Sequence, residues 1–177
     1  QTGGIALQDR PGKDGAAAVL PADETLMLSY KSGDMAAFEV LYRRHKDPLY
    51  RTLLRACGSE ATAAELFQET WAAVIKSRER YEPRAKFTTW LYRIAHNRLI
   101  DQVRQVRPTD TLEDDAPYAA PAHTQPEQET EAADLGRRLR AGLATLPLEQ
   151  REAFLLKEEG ELSLEEIAEV TGVGRET

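Results

Sequence analysis

Arg93, Asn97, Arg104 and Arg107 stand at spacings of 4, 11 and 14 residues, so at about 100° per residue they share roughly one quadrant of a helix. Arginines neutralise phosphates, and an asparagine offers a donor and an acceptor to a base edge, so this ridge has the residue types of a DNA contact. Just before it, Arg80, Arg84 and Lys86 are interleaved with Tyr81, Phe87, Trp90 and Tyr92. Cations beside flat rings are what hold a single strand, by its phosphates and by its bases. The competing reading makes Phe87 and Trp90 simple core residues, and for Trp90 the core is the favoured one.

A second set lies upstream. Glu65, Gln68, Glu69, Ala72 and Lys76 form a polar side of a helix whose other side carries Phe67, Trp71, Val74 and Ile75. The polar side can meet a protein partner or simply face solvent. Nucleophile–base pairs, glycine loops for phosphate and metal-ligand spacings are absent from the sequence, and His45, His96 and His123 are scattered. We therefore expect no catalytic residues, no metal and no cofactor. Cys57 is the single cysteine, so an intrachain disulfide is impossible.

These sets need helices to carry them. Asp23 is expected to cap a first helix through Leu26, Met27 and Tyr30 that ends near Gly33, and Asp34 to cap a second through Phe38, Leu41 and Tyr42. Pro48 suits the first turn of another helical unit through Leu49, Leu53 and Leu54 to Gly58, with a bend or a kink both open. Helices from about Glu60 to Ser77 and Thr88 to Val106 follow, separated by a charged loop broken at Pro83. Near the end, a helix from about Glu127 to Thr145 has Leu135, Leu139 and Leu143 as its apolar stripe. Another begins at Pro147 with Ala153, Phe154, Leu155 and Leu156, and Ser163 and Glu166 form a capping box ahead of Ile167, Ala168, Val170 and Gly172.

The net charge of −7 is unevenly spread. Glu24 to Arg107 carries 15 Lys/Arg against 10 Asp/Glu, whereas Pro108 to Asp134 carries 8 acids and no base. A basic unit is thus followed by an acidic strap. With 41% hydrophobic and 30% charged residues, and no apolar run near the roughly 20 residues of a membrane span, a bilayer protein is excluded and a cytoplasmic location is expected.

Two stretches carry a resemblance. Ala64-Glu65-Leu66-Phe67-Gln68-Glu69-Thr70-Trp71, followed by Phe87-Thr88-Thr89-Trp90-Leu91-Tyr92-Arg93-Ile94-Ala95-His96-Asn97, resembles region 2 of the extracytoplasmic-function (ECF) sigma factors of bacterial RNA polymerase. Glu65 stands for the usual Asp and Phe67 for a small aliphatic residue. Leu146-Pro147, Arg151 and Glu166-Ile167-Ala168 resemble sigma region 4.

The resemblance implies an all-α chain of two small helical domains. A four-helix-type region 2 bundle over 23–107 follows a disordered tail at 1–22; a flexible acidic linker at 108–126 leads to a region 4 helix-turn-helix domain at 127–177. It implies that Glu65, Leu66, Gln68 and Glu69 dock on clamp helices of the polymerase's largest subunit. Arg80, Arg84, Lys86, Phe87, Thr88, Arg93, Asn97, Arg98 and Arg104 would meet the −10 element of promoter DNA and melt it. Ser163, Glu166, Ile167, Ala168, Gly172 and Arg175 would build the helix-turn-helix. Asp110, Glu113, Asp114 and Asp115 would face basic walls inside the polymerase, and an anti-sigma factor would hold the two domains; no small-molecule substrate is implied. The second helix of the helix-turn-helix reaches only Gly174–Thr177, so reading of a −35 element is not expected of the sequence as it stands. The alternative is a regulator that binds duplex DNA through the helix-turn-helix without polymerase.

Overall fold

The computed structural model describes residues 20–106 and 131–173. Seven α-helices and one 3-10 turn make up these residues, with no strand among them. In chain order the helices are α1 (Asp23–Lys31), α2 (Met35–Cys57), α3 (Glu60–Ser77), α4 (Phe87–Val106), α5 (Glu131–Thr145), α6 (Leu148–Glu158) and α7 (Leu164–Thr171), the 3-10 turn being Arg78–Arg80. The tail up to residue 19, Arg107, the acidic strap, the start of the helix expected from Glu127, and Gly174–Thr177 with Arg175 lie outside the described residues.

Local chemistry accounts for most ends. Asp34 accepts from the amides of Ala36 and Ala37 at 3.0 and 3.4 Å, and Ser59 from that of Thr62 at 3.4 Å. Gly58 (φ 69°) and Gly172 (φ 74°) close α2 and α7 in the left-handed region that suits glycine. Asp23 departs from expectation. Ala22 precedes α1 with no side-chain cap, and the Asp23 carboxylate instead accepts from Arg44 at 2.8 Å and lies 2.7 Å from His45 Nε2. Burial alone would raise its pKa, but the hydrogen bonds from His45 and Arg44 bring it below its ordinary value. The carboxylate therefore ties α1 to α2 rather than capping its own helix.

Pro48 does not start a new unit. It sits inside α2, whose hydrogen-bonded backbone runs on from Met35 to Cys57, and the buried Thr52 hydroxyl donates to the Pro48 carbonyl at 2.9 Å. A proline removes one ladder bond, and the tertiary burial of Leu41, Leu49 and Leu53 on either side outweighs that loss.

Helices α1 to α4 enclose a core of Met27, Tyr30, Leu41, Leu49, Leu53, Leu66, Val74, Phe87 and Leu91. Aromatic rings line it: Phe38, Tyr42, Phe67 and Trp71 form one set and Tyr81, Phe87 and Trp90 another, most pairs edge-on, with centroids 5.0 to 6.5 Å apart. The C-terminal helices add Leu143, Leu155, Leu156, Leu162, Ile167 and Val170. Of the expected α5 stripe only Leu143 is buried; Leu135 and Leu139 are exposed, as is Phe154 on α6. The interior of α6 instead takes Arg151 and Glu152, at 0% and 3% exposure.

Candidate nucleic-acid and partner interface

On α3, the side expected to meet a partner is open: Glu65, Gln68 and Glu69 are exposed. Leu66 is not part of it. At 1% exposure it fills the core, one helical turn from Thr70, whose hydroxyl donates back to the Leu66 carbonyl at 2.7 Å. A partner touching α3 would meet the acid–amide face and the half-buried ring of Phe67, which packs on Tyr42 and Tyr50 of α2. The contribution of α2 to this surface was hidden in the sequence, because nothing local joins residues 42 and 50 to residue 67.

The second surface is built where the 3-10 turn, the following loop and the first turns of α4 meet. Glu24 of α1 reaches across to accept the Phe87 amide at 2.6 Å, and Lys31 donates to the Tyr81 carbonyl at 2.9 Å. These two bonds fix both ends of the loop. An acid at a helix N-terminus also satisfies an amide that has no partner within the helix.

Of the rings expected to stack on bases, Tyr81, Phe87 and Tyr92 are buried at 2%, 0% and 2% exposure. They are core residues. Desolvation pushes the Tyr81 and Tyr92 hydroxyls up to about 12, with the carboxylates of Glu24 and Asp23 adding to the rise at Tyr81. Trp90, which the sequence favoured as core, keeps part of its ring at the surface. It lines a cleft with Arg80, Glu82, Arg84, Ala85, Thr89, Arg93 and Glu169. Thr89 is 1% exposed, and its hydroxyl has no hydrogen-bond partner among the described residues. A buried hydroxyl without a partner is costly, and this one stands in the cleft wall. Thr89, absent from the residues expected at this surface, is the addition that the fold makes.

Of the cations expected on the strand, Arg80, Arg84 and Arg93 line this cleft. Arg80, Arg84, Lys86, Asn97, Arg98 and Arg104 are exposed, and Thr88 and Arg93 are half-buried. Arg84 pairs with Glu82 beside it. Lys86 and Arg93 instead meet α7: Lys86 Nζ lies 3.0 Å from Glu166, and Arg93 donates to both the carboxylate and the carbonyl of Glu169 at 3.0 Å.

On the C-terminal side α6 and α7 form a helix–turn–helix-like corner. The Ser163 hydroxyl accepts the Glu166 amide at 3.2 Å, and Glu166 accepts the Ser163 amide at 2.7 Å. The Glu166 carboxyl is held below its usual value by the Ser163 amide and by Lys86, against a smaller opposing effect of burial. Ile167 is buried at 6%, Ala168 is half-buried, and Gly172 turns the chain. Among the described residues no group of His, Cys, Asp or Glu is arranged to hold a metal, and no helix is long and apolar enough to cross a membrane.

Residues 41–109 match the family model of Sigma-70 region 2, and residues 136–177 that of Sigma-70, region 4. The chain is similar to the RNA polymerase sigma factor CarQ of Myxococcus xanthus, with 35% identity over 147 residues and 83% of each chain covered. It is also similar to the ECF RNA polymerase sigma factor SigW of Bacillus subtilis (strain 168), with 30% identity over 154 residues and 81% of each covered. In structure it is similar to CnrH, solved in complex with the cytosolic domain of CnrY, at a TM-score of 0.63 and 25% identity over 86% of this chain and 84% of that one. The chain belongs to the extracytoplasmic-function sigma factors of the sigma-70 family. Its two helical lobes are those of regions 2 and 4.

Proposed function

We propose that the chain acts in the cytoplasm, without catalysis of its own, as a dissociable initiation subunit that brings core RNA polymerase to promoters and holds the melted −10 strand. The observation that carries the reading is the cleft beside α4. A base leaving the duplex stack finds the open part of Trp90, the unpartnered Thr89 hydroxyl and the cations Arg80, Arg84 and Arg93 in one concavity. Unstacking costs a few kcal/mol per base, and stacking on an aromatic ring returns about 1–3 kcal/mol, with phosphate contacts adding to it. Asn97 and Arg104 continue the ridge of Arg93 along α4, and the exposed Arg98 adds a cation beside it. Phe87 supports the cleft from the core instead of touching the strand.

In this reading Glu65, Gln68 and Glu69 dock on the clamp helices of the polymerase's largest subunit, on a face turned away from the core of the lobe. An anti-sigma factor holds the two lobes when transcription is off; the relative solved with CnrY supports this part. The test is co-purification with core polymerase, then transcription from a library of promoters. Gln68→Lys with Glu69→Lys is expected to abolish association with core, and Arg84→Ala to weaken capture of a single-stranded −10 oligonucleotide and lower its salt slope by about 0.7. A chain that binds duplex operators unaided and ignores core polymerase would overturn the reading.

A further inference from the structure

Part of the strand cleft's wall comes from the other lobe. Glu169 of α7 forms part of its wall and takes two hydrogen bonds from Arg93, while Glu166 takes Lys86. We propose that region 4 is an intramolecular occupant of the region 2 strand site: the α7 acids stand on cations that a strand's phosphates would need, so lobe closure and strand binding exclude one another. This rests on the reading of the α4 cleft as a strand site, and adds a restraint that needs no second protein.

The rest of the interface is built to hold that pose. Arg151 is fully buried; its guanidinium donates to the carbonyls of Leu143, Ala144 and Leu146 in its own lobe and, at 2.8 Å, to that of Ala56 in the last turn of α2. Helix-end carbonyls lack intrahelical partners and carry partial negative charge, so a cation is favoured there. His96 of α4 lies 2.7 Å from Glu152 of α6, both largely buried. Glu159 pairs with Arg51 at 2.9 Å and also with Arg55. Gly160 sits close enough to Tyr92 that an added Cβ would come within 3.2 Å of the ring. The buried contacts hold the lobes together, and the two α7 acids, at the rim, place the occlusion on the cleft.

Exposed ion pairs are individually weak, so the acids bias the closed state without locking it. By linkage, whatever a strand must displace, its binding must also open.

The test uses the full chain without polymerase and a fluorescently labelled single-stranded −10 oligonucleotide. The double variant Glu166→Gln, Glu169→Gln keeps a side-chain acceptor at position 166 for the Ser163 amide and removes both charges. Glu158→Gln with Glu165→Gln, exposed positions on the same lobe, is the control of equal charge. Relative to that control, the double variant is expected to bind the strand roughly two- to thirtyfold tighter, the range that two rim ion pairs support. A saturating strand is expected to enlarge the wild-type radius of gyration in solution scattering. Equal affinities of double variant and control, or an unaltered radius at saturation, overturn the closure proposal while the strand site stands, provided Arg84→Ala and Arg98→Ala still weaken binding. If those two substitutions leave binding unaltered in every background, the strand reading fails and the closure proposal with it.

Discussion

Arg151 is the residue on which the C-terminal lobe turns. Buried charges are tolerated only when their donors are satisfied, and four backbone carbonyls from three segments do this for one guanidinium. Replacing it by Met would strand those carbonyls without donors, and Arg151→Met is expected to lower stability by about 3 kcal/mol in denaturant unfolding. Arg151→Lys, with a point charge in place of a fork, should recover only a small part of that loss. Glu166 gives a pH signature of its own. Its folded pKa lies below the ordinary 4.5, so its contribution is complete above that value and is lost as pH falls through the depressed folded pKa. The acid limb of the stability curve should therefore flatten in Glu166→Gln, measured by thermal melting between neutral pH and about pH 3; an unchanged limb would show that the carboxylate is idle.

At the level of helices, what could be read in advance was what is local. Asp34, Gly58, Ser163 with Glu166, and Gly172 mark ends by their own chemistry, and α3 runs over the Glu60–Ser77 span that its periodicity implies. What escaped was settled across the chain. Asp23 serves α2 instead of its own helix, and Glu24 caps α4 from 63 residues away. Periodicity put Leu135 and Leu139 inside and left Arg151 unmarked, because it records which residues share a face and not which face is covered. The ring cluster shows the same limit: Tyr81, Phe87 and Tyr92 have the composition of a base-stacking platform, and only burial shows them to be core. Glu24→Ala should cost about 1 kcal/mol, as loss of an N-cap does, and fray the first turn of α4, seen as faster amide exchange at Phe87. Gly160→Ala should be worse than its small size suggests. The new methyl would stand 2.7 Å from the Leu156 carbonyl and 2.8 Å from Leu162, so a loss of about 1–3 kcal/mol is expected in equilibrium unfolding.

Taken whole, the described residues form two lobes of opposite electrical character: a basic one, and an acidic-edged one that lies on it. The charge counts of the sequence marked the basic unit but put its acidic counterpart in the strap at 108–134, nearly all of it outside the described residues, so they did not point to acids of the second lobe meeting cations of the first. The two kinds of interlobe bond should separate under salt. At 1 M the screening length falls to about 3 Å, which weakens rim pairs such as Lys86–Glu166 and Arg93–Glu169 and leaves shielded ones such as His96–Glu152 and Arg151 largely intact. The lobes of the isolated chain are therefore expected to stay docked in high salt, with an unchanged scattering radius, and to part only when the buried set is broken.

Cys57, closing α2 at 2% exposure, has its thiol pushed up by burial and donates to the Ser59 carbonyl at 3.4 Å. Such a sulfur reacts slowly with alkylating reagents. The native chain is in effect a blank background for maleimide chemistry, so one cysteine introduced on each lobe would accept a dye pair without first deleting the natural one. Opening and closing could then be timed molecule by molecule.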